Sequence, residues 1–538
     1  MLRPRTAAVA SLLLLPMIAG GFLIQQAPPR ATQRLFEQVF SIVSSRYVDS
    51  LQSTDVFEKA AKGLVRELND PYSELLAPRQ SEEFNRSTGG RYGGVGMLLE
   101  EQKNGTGTAI VVSRVFPHTP AEEGGVHEGD RLVRVDTISA VDVKIDKVSD
   151  ALRGTAGTMV QVVFARPGVA EPVKLSFRRA VIHVPAVPYA TMVAGKVGYI
   201  PLQTFNENAA DEVQEAAKKL VADGASGLIL DLRDNGGGIV DQALAVSSLF
   251  LKDGQSIVNV RSRNTPDEIA RASSEHLSSQ PPVIVLTDGG TASASEIVAG
   301  ALQDHDRALV LGTTSYGKGL VQSLFPLDGG YALKITTGKW YTPSGRSIHR
   351  ERRLLPDGQY VETRPDSLET EAEKRAKPKF SSDAGRTVYG GGGITPDVLV
   401  PDDTLATAEQ EFLRSVAPKA QQFVTVLNQY ALDLKPGVSR DFVITPEWRT
   451  ELRRRLGAAG ITIDQKYEPA ATRILDRELD RRVSRLVLGD AGARRRSAAT
   501  DHQLARAIAL LSAANSQEAL FAAARSTVST ATSAGAKH

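Results

Sequence analysis

Apolar residues near the start of the chain recur at helical spacing. They return every three or four positions, first as Leu35, Phe36, Val39, Phe40, Val43 and Tyr47 and then as Val56, Phe57, Ala60, Ala61, Leu64, Val65 and Leu68. This spacing predicts two amphipathic helices. The proline of Asn69-Asp70-Pro71 ends the second helix. Residues 31–86 are therefore predicted to form an N-terminal helical region.

Between residues 90 and 181 the spacing changes. Apolar residues alternate with polar ones or form short runs in TAIVVSRVF, DRLVRVD and MVQVVFARP, and glycines separate these segments. Alternation with a period of two predicts β-strands. The region 90–181 is therefore predicted to be a small β-rich domain with one short helix over Lys147–Leu152.

Strands and helices alternate over residues 186–402. The apolar runs GLILDL, PVIVLT and RALVLG are separated by segments with helical spacing. This alternation predicts an α/β core whose strands are parallel. Beyond residue 402 the composition becomes helical and predicts a C-terminal extension over 403–538. Its arginine runs, Arg453–Arg455 and Arg494–Arg496, are interpreted as solvated faces.

Length and composition exclude several classes of protein. A chain of 538 residues is too long for one hydrophobic core, so several domains are expected. Charged residues make up 23% and the net charge is +2, which gives no reason to expect a nucleic-acid partner. The chain has no cysteine, which excludes disulfides, a thiol nucleophile, thiolate metal ligands and a lipid-modified cysteine. No metal or other cofactor is expected.

The first residues have the layout of an export signal. Arg3 and Arg5 precede an apolar run, Ala7–Ile24, that is just long enough to span a bilayer. Residues 1–26 are therefore predicted to be a signal or membrane anchor, and the lack of a clean small-x-small cleavage site favours an anchor. In both cases the bulk of the protein is expected outside the cytoplasm, with the two arginines inside.

The segment from Thr291 to Gln322 contains groups that can carry out nucleophilic chemistry without histidine. Ser293 follows a strand and a turn and precedes helical spacing, so it is predicted at a helix N-terminus, where free N–H groups favour an oxyanion. Lys318 lies between two glycines, and a desolvated lysine can remove the proton of a serine. Gln322 has the acceptor and donors to hold that amine in place. Taken alone, a serine at a helix start is most often an N-cap and a lysine a solvated charge.

Other assignments compete with this one. Ser315-Tyr316-Gly317-Lys318 fits the Ser-x-x-Lys motif of penicillin-binding enzymes, but that motif needs a helix and glycines flank this lysine. Ser295 is a closer competitor, interpreted as an early helical residue. The triple glycine Gly236–Gly238 lacks the ending of a phosphate loop and is interpreted as a source of backbone N–H groups for an oxyanion. None of the eight histidines lies in a nucleophile-elbow context.

Several short motifs occur together in one order along the chain. They are Leu68-Asn69-Asp70-Pro71-Tyr72-Ser73, Gly93-Gly94-Val95-Gly96-Met97, Thr119-Pro120-Ala121, Gly124-Gly125-Val126, Glu128-Gly129-Asp130, Gly198-Tyr199-Ile200, Leu230-Asp231-Leu232-Arg233, Ser293-Ala294-Ser295-Glu296, Gly317-Lys318-Gly319 and Tyr341-Thr342-Pro343-Ser344-Gly345-Arg346. With these motifs the chain resembles a carboxyl-terminal processing peptidase, also called a tail-specific protease. The resemblance covers residues 32–402 and implies a crotonase-like β/α protease core over 186–402 with an inserted PDZ domain over 90–181.

The resemblance also implies roles for single residues. Ser293 is the expected nucleophile, Lys318 the general base and Gln322 the residue that orients the lysine. The expected oxyanion hole combines the N–H of Ala294 with that of Gly237 or Gly238, and the sequence leaves the choice between the two glycines open.

In the PDZ domain, the glycine-rich loop is expected to bind the terminal carboxylate of a peptide. Its residues are Gly94, Val95, Gly96 and Met97. Arg153 is expected to link peptide occupancy to the active form. Two positions depart from the family pattern, namely Thr137, where such domains usually have glycine, and Gly236, where the family often has proline.

The implied function is that of a serine endopeptidase that recognises and cleaves near the C-terminal tails of exported or periplasmic proteins. Its partners would be those tails and, through residues 1–26, the inner membrane, while assembly into a homo-oligomer is left open. The implied location is the periplasm. The alternative is a non-catalytic PDZ scaffold that retains the protease-like fold and only binds peptides.

Overall fold

The computed structural model describes residues 30–104, 107–273, 277, 280–354, 360–362 and 371–535. The predicted signal or anchor over 1–26 lies outside these residues. Among the helices that are described, none combines the length and the apolar character needed to cross a membrane. The chain divides into two compact units, one made of residues 1–77 and 324–336 and the other of residues 78–323 and 337–538.

The smaller unit contains the two predicted amphipathic helices. Its elements are α1 (Arg30–Arg46), α2 (Ser53–Arg66) and β1 (Glu74–Leu76). The rings of Phe40 and Phe57 pack together with centroids 4.0 Å apart and join the two helices. Much of their apolar surface is nevertheless exposed, including Leu35, Phe36, Val39, Ile42, Val43, Tyr47, Phe57 and Leu64.

The larger unit begins with a helix and a β-rich domain, as the alternating pattern predicts. The elements are α3 (Pro78–Gly89), β2 (Arg91–Gly94), β3 (Met97–Asn104), β4 (Gly107–Val115), α4 (Pro120–Glu123), β5 (Arg131–Val135), β6 (Ile138–Ser139), α5 (Ile145–Leu152), β7 (Met159–Ala165), β8 (Val173–Arg178) and β9 (Ala180–His183). The sheet has the order β3-β4-β5-β7-β8, with β6 beside β5, and β2 pairs with β9. The sheet and α5 enclose a separate apolar core.

The predicted α/β core follows. Its elements are β10 (Thr191–Val193), β11 (Val197–Pro201), α6 (Ala209–Ala222), β12 (Gly227–Asp231), α7 (Val240–Phe250), β13 (Ser256–Ser262), β14 (Glu268–Arg271), β15 (Val283–Thr287), α8 (Ala294–Asp304) and β16 (Leu309–Gly312). The main sheet has the order β10-β11-β12-β15-β16-β23, where β23 is Val398–Leu399. All neighbours are parallel except the antiparallel pair β10 and β11. The central strands β12 and β15 are buried along their whole length, which explains their unbroken apolar runs.

The connection from β16 to β23 contains shorter elements. They are β17 (Leu320–Pro326), β18 (Ala332–Tyr341), β19 (Arg352–Leu354), β20 (Tyr360–Glu362), α9 (Glu371–Ala376), β21 (Lys379–Ser381) and β22 (Thr387–Tyr389). β17 and β18 form the hairpin expected around Asp328-Gly329-Gly330. In the larger unit, residues 338–341 of β18 pair with β13 in antiparallel register.

The C-terminal extension is helical, as predicted. It consists of α10 (Thr407–Val416), α11 (Ala420–Leu434), α12 (Pro446–Ala458), α13 (Glu468–Ser497), α14 (His502–Ser512) and α15 (Gln517–Gly535). Helices α10 to α13 share an apolar core of their own. Helices α14 and α15 instead cover one face of the main sheet, whose opposite face packs against α6, α7 and α8.

The solvated-face interpretation of the arginine runs is wrong for Arg494 and Arg496. The guanidinium of Arg494 lies 5.1 Å from the ring centroid of Tyr199 in β11. Arg496 forms a 2.7 Å salt bridge with Asp480 and donates to the carbonyl of Phe442 at 2.8 Å. The sequence shows which residues are charged but not which part of the protein they contact. Here the end of α13 packs against the protease core, so these arginines are not fully solvated.

Candidate active site

Ser293 occupies a sharp turn between β15 and the N-terminus of α8. Its backbone has φ 58° and ψ −115°, a conformation that residues other than glycine rarely adopt. Within the segment 291–300 every residue is buried except Ser293. Strain at a strand-to-helix turn that exposes one hydroxyl is a geometry used by nucleophilic serines.

The hydroxyl of Ser293 makes no capping hydrogen bond to the first turn of α8 in the described structure. A carboxylate caps this end instead, because the backbone N–H of Ser293 donates to Oε2 of Glu296 at 2.8 Å. Capping therefore does not account for a serine at this position, and its hydroxyl lies where the free N–H groups of the helix start favour negative charge.

The side chain of Glu296 joins the nucleophile turn to the segment around Lys318. Glu296 is fully buried, and its Oε2 accepts hydrogen bonds from the backbone N–H groups of Ser293 and Lys318, both at 2.8 Å. Its Oε1 accepts from Ser315 Oγ at 2.5 Å and from the N–H of Gly317 at 2.6 Å. The N–H groups of Ser293 and Lys318 donate to the same oxygen of Glu296 at 2.8 Å. The two backbone nitrogens are therefore no further apart than twice that distance.

Burial raises the pKa of the Glu296 carboxyl above its ordinary value. The hydrogen bonds from the four surrounding donors oppose this shift without cancelling it. The carboxylate is thus held by donors that favour its charged form in a site that otherwise disfavours charge.

The glycines beside Lys318 allow close backbone approach, as the sequence suggests. Gly317 has φ 87°, and a Cβ atom there would lie 3.0 Å from the backbone N of Gly393. A Cβ atom on Gly319 would lie 2.9 Å from the backbone N of His349. The indole N–H of the buried Trp340 donates to the carbonyl of Lys318 at 3.1 Å. Lys318 itself is half-buried and lies in the loop just before β17.

Gln322 lies on β17, four positions after Lys318, and is also half-buried. Ser293 lies at the start of α8, Lys318 in the Gly-Lys-Gly segment and Gln322 on β17. The backbones of Ser293 and Lys318 are brought together at Glu296.

Asn235 anchors the glycine loop after β12 to the nucleophile turn. The residue is fully buried, its Nδ2 donates to the carbonyl of Leu202 at 2.6 Å, and its Oδ1 accepts from the N–H of Gly237 at 2.9 Å. Its own carbonyl accepts from the N–H of Ala292 at 3.0 Å and from Ser295 Oγ at 2.9 Å. One residue thus contacts both segments, the glycine loop through its side chain and the nucleophile turn through its backbone carbonyl.

The glycine loop packs directly against the turn that holds Ser293. A Cβ atom on Gly237, where φ is 95°, would lie 2.7 Å from the carbonyl oxygen of Ala292 and 2.9 Å from the backbone N of Ala294. The N–H groups of Ala294 and Gly238 have no acceptor within the described residues, whereas that of Gly237 donates to Asn235.

Ser295 and Ser315, the two alternative nucleophiles, are buried and their hydroxyl groups form hydrogen bonds within the protein. Ser295 donates its hydroxyl to the carbonyl of Asn235. Ser315 donates to Glu296, and its Oγ accepts from the N–H of Ile394 at 2.6 Å. Both residues have no exposed surface, and Ser315 lies in a loop instead of the helix that the Ser-x-x-Lys motif needs. Their hydroxyl groups therefore serve to hold the loops together.

The predicted carboxylate-binding loop leads into β3, an edge strand of its sheet. Both α5 and α11 contact β3, and Gln421 of α11 donates to the carbonyl of Glu101 at 2.6 Å. The loop is fixed by its carbonyls, since Val95 O accepts from the N–H of Ala121 at 2.8 Å and Gly96 O from the N–H of Phe116 at 2.9 Å. The N–H groups of Val95 and Gly96 have no acceptor in the part of the chain that the structure describes. Such a loop with two open donors beside an edge strand can hold a carboxylate while a peptide extends the sheet.

Arg153 lies at the end of α5, beside the same loop. Its guanidinium is 3.4 Å from Asp150 and 5.9 Å from the ring centroid of Tyr92. The next residue, Gly154, is in tight contact with the loop, because a Cβ atom on Gly93 would lie 2.0 Å from its carbonyl oxygen. The side chain of Arg153 and the backbone of the next residue therefore contact Tyr92 and Gly93 of β2, the strand that leads into the loop.

The sequence predicts no role for Asn235 or for Glu296, although Glu296 lies within one of the family motifs. A signal for Glu296 is present, because Ser293-Ala294-Ser295-Glu296 has the spacing of a capping box. No local signal distinguishes Asn235, since its partners come from the residue after β11, the glycine loop, the turn before α8 and the first turn of α8.

A parallel α/β core that presents a half-buried serine at a helix start is compatible with the class of serine peptidases, and the domain ahead of it has the sheet and the glycine loop of a PDZ domain. Sequence profiles agree: Peptidase family S41 matches residues 196–360, the PDZ domain matches residues 85–164, and the activating protease CtpB N-terminal domain matches residues 25–78. The chain belongs to peptidase family S41, in the group of carboxy-terminal processing proteases.

Two curated relatives support this membership. The chain is 36% identical over 363 residues to the carboxy-terminal-processing protease of Bartonella bacilliformis, which covers 65% of this chain and 82% of that protein. It is 32% identical over 349 residues to the carboxy-terminal processing protease CtpA of Bacillus subtilis, which covers 64% of this chain and 73% of that protein. A solved photosystem II D1 C-terminal processing protease is 27% identical, with a TM-score of 0.36 over 71% of this chain and 91% of that chain.

Proposed function

We propose that the protein is an endopeptidase with a serine/lysine dyad, in which Ser293 is the nucleophile, Lys318 the general base and Gln322 the residue that orients the lysine. The observation that carries this proposal is the pair of hydrogen bonds from the backbone N–H groups of Ser293 and Lys318 to one oxygen of Glu296. This pair keeps the nucleophile and the base on neighbouring segments in a buried setting, where a lysine amine can lose its charge.

The oxyanion hole is proposed to consist of the N–H groups of Ala294 and Gly238. Gly237 is the weaker of the two candidates because its N–H already donates to Asn235. Donors that are fixed before the reaction stabilise a tetrahedral intermediate without reorganisation, and the anchoring of the glycine loop by Asn235 supplies that rigidity.

The chemistry would then follow acyl transfer. Oγ of Ser293 attacks the scissile carbonyl carbon while its proton passes to the amine of Lys318. The carbonyl oxygen becomes an oxyanion held by the two N–H groups. When the intermediate collapses, the C–N bond breaks and Lys318 returns the proton to the leaving amine. A water molecule, deprotonated by the same lysine, then hydrolyses the acyl-enzyme.

The substrate is proposed to be a protein with an accessible C-terminal tail, bound by Gly94, Val95, Gly96 and Met97 and linked to the active form through Arg153. The open N–H groups of Val95 and Gly96 support carboxylate binding. A substrate whose C-terminus is amidated should therefore be cleaved less efficiently than the same substrate with a free carboxylate, through a higher KM. Equal KM values for the two substrates would contradict this role of the loop.

The protein is proposed to act outside the cytoplasm, in the periplasm, anchored in the inner membrane by residues 1–26. Arg3 and Arg5 ahead of the apolar run support this location. Fractionation and carbonate extraction test it, and the appearance of the full-length chain in the soluble cytoplasmic fraction would contradict it. The exposed apolar side chains of α1 and α2 support assembly with a second copy of the chain, which mass measurement in solution would detect.

The dyad is tested by cleavage of an unfolded substrate. Ser293→Ala and Lys318→Ala should each lower kcat by at least about a thousandfold, because each removes a group on which the other depends. Matched controls are Ser87→Ala and Lys339→Ala, which change exposed residues. If both dyad variants cleave as fast as the controls, the dyad assignment is wrong. If the unaltered protein binds tails without cleaving them, the scaffold alternative is correct.

A further inference from the structure

The C-terminal extension contributes to the protease core itself. One face of the main sheet is covered by α14 and α15 from beyond residue 500. Side chains on this face of the sheet include Tyr199, Ile229 and Ile284, and helix side chains against it include Leu504, Leu511 and Phe521. This part of the chain follows the segment matched by the S41 profile, which ends at residue 360.

One residue of the extension reaches the segment that leads into the glycine loop. Asp501 caps α14 by accepting from the N–H of Leu504 at 3.0 Å. Its two carboxylate oxygens also accept from Arg233, Oδ1 from Nη1 at 3.0 Å and Oδ2 from Nη2 at 2.9 Å. Gln503 adds an acceptor for Arg233 Nη1 at 3.1 Å. Arg233 and Asp501 each expose only 17% of their side chains, so the pair is shielded from solvent.

Arg233 is in turn fixed to the end of β12. Its Nη2 donates to Asp231 Oδ2 at 2.6 Å, and its backbone N–H donates to Asp231 Oδ1 at 3.0 Å. Burial opposes the charge of Arg233, but the carboxylates of Asp231 and Asp501 outweigh it and raise the pKa of Arg233. Burial likewise would raise the pKa of Asp501, and the hydrogen bond and charge of Arg233 lower it instead. Asp501 thus adds to the larger effect of Asp231 on Arg233, and its own carboxylate is stabilised by Arg233 and by Arg494, whose Nη1 lies 3.1 Å from Asp501 Oδ2.

The contact between Arg233 and Asp501 bears on the proposed active site through the residues that follow Arg233. Asn235, two positions after Arg233, positions the glycine loop and accepts the N–H of Ala292, the residue before Ser293. Arg233 thus fixes one end of the segment 233–238, and the other end carries the N–H group that is proposed as an oxyanion donor. The acceptor of this hydrogen bond, Asp501, lies 268 positions after Arg233 in the sequence.

We propose that Asp501 is a positioning residue for the peptidase reaction: through Arg233 it holds the loop Asn235–Gly238 in the geometry that presents its N–H groups. The C-terminal extension is then a structural part of the active site. This inference rests on the proposed function for its kinetic consequence, but the effect on the loop can be measured without any cleavage.

The test variant is Asp501→Asn. Asparagine still caps a helix, so α14 keeps its cap while the bidentate carboxylate is lost. We expect kcat to fall by about 10- to 100-fold with KM changed by less than about twofold, because a small displacement of catalytic groups affects the reaction more than binding. We also expect faster amide hydrogen exchange over residues 233–239, including the N–H of Gly237. The matched control is Asp476→Asn, which breaks a similar pair with Arg449 within the extension, where neither residue contacts the glycine loop.

The results separate the two proposals. If Asp501→Asn exchanges as slowly over 233–239 as the unaltered protein, the positioning role is wrong, whatever the activity. The same conclusion follows if exchange and kcat change equally in the Asp476→Asn control. If exchange accelerates in Asp501→Asn alone but Ser293→Ala still cleaves, the positioning of the loop is supported and the dyad assignment fails.

Discussion

Two glycine-rich loops of this protein leave backbone N–H groups open, but they are supported in different ways. The loop Gly236–Gly238 is fixed by the buried side chain of Asn235, and the adjoining turn is fixed by the buried side chain of Glu296. The PDZ loop Gly93–Gly96 is fixed mainly by its own backbone carbonyls and by the hydroxyl of Thr119, which donates to Gly96 O at 3.3 Å.

The difference matches the role that is proposed for each loop. Stabilising an oxyanion requires donors that do not move when charge develops, and buried polar side chains with all their hydrogen bonds made provide such rigidity. Capturing a peptide end requires donors and space, and a loop held by backbone contacts can adjust as the added strand pairs with the sheet. Substitutions should therefore affect kcat at the first loop and KM at the second.

The largest effect is expected from Glu296→Gln. The amide keeps one acceptor oxygen but turns its NH2 group toward two of the four donors, so at least two buried donors lose their partner. We expect kcat to fall by about a hundredfold or more with little change in KM. Glu215→Gln on the exposed face of α6 is the control, and a Glu296→Gln enzyme with the control's kcat would contradict the bridging role.

A smaller loss is expected from Asn235→Ala. This change removes the acceptor of the Gly237 N–H and the donor to Leu202, while the backbone carbonyl that anchors Ala292 remains. We expect kcat to fall by about tenfold or more and the free energy of unfolding to fall by about 1–3 kcal/mol, the usual cost of an unsatisfied buried polar group. Kinetics and urea denaturation measure the two effects. A loss that appears only in KM would show that this loop serves binding.

The PDZ loop is tested by Gly96→Ala. A Cβ atom there would lie 2.3 Å from the side chain of Thr119, at a φ of 88°. We expect KM for substrates with a free carboxylate to rise by about tenfold while kcat is retained, because only the binding loop is displaced. Gly125→Ala is a matched control, since Gly125 has φ 76° but no atom within 4 Å of an added Cβ. Equal KM values in the two variants would mean that backbone strain, not the loop's shape, is responsible.

The smallest effect concerns pH. The pKa of Glu296 lies above its ordinary value of 4.5 in the folded protein because of burial, so the folded state binds this proton more tightly than the unfolded state. The contribution to stability is then complete below pH 4.5 and is lost as the pH rises through the folded pKa, by about 1.4 kcal/mol for each unit of difference. Glu296→Gln should lack this slope in urea denaturation between pH 4.5 and 7. Parallel curves for the two proteins would contradict the raised pKa.

Much of the fold could be predicted from local patterns. Helical spacing located α1 and α2, strand alternation located the PDZ sheet, and buried apolar runs located β12, β15 and β16. The helix N-terminus at Ser293 and the close packing around Gly317 and Gly319 followed from turn and glycine signals. These features depend on residues within a few positions of one another, which is why a single sequence reveals them.

The amino-acid sequence by itself determined the order of elements, the domain types and the candidate residues Ser293, Lys318 and Gln322. Only the tertiary structure decided which buried groups hold those residues. Glu296 meets Lys318, and Arg233 meets Asp501, across long stretches of chain that have no pattern in common. Spacing encodes which face of a helix or strand is apolar, but a hydrogen bond between distant segments depends on how the sheet and its covering helices pack, and no local signal records that packing.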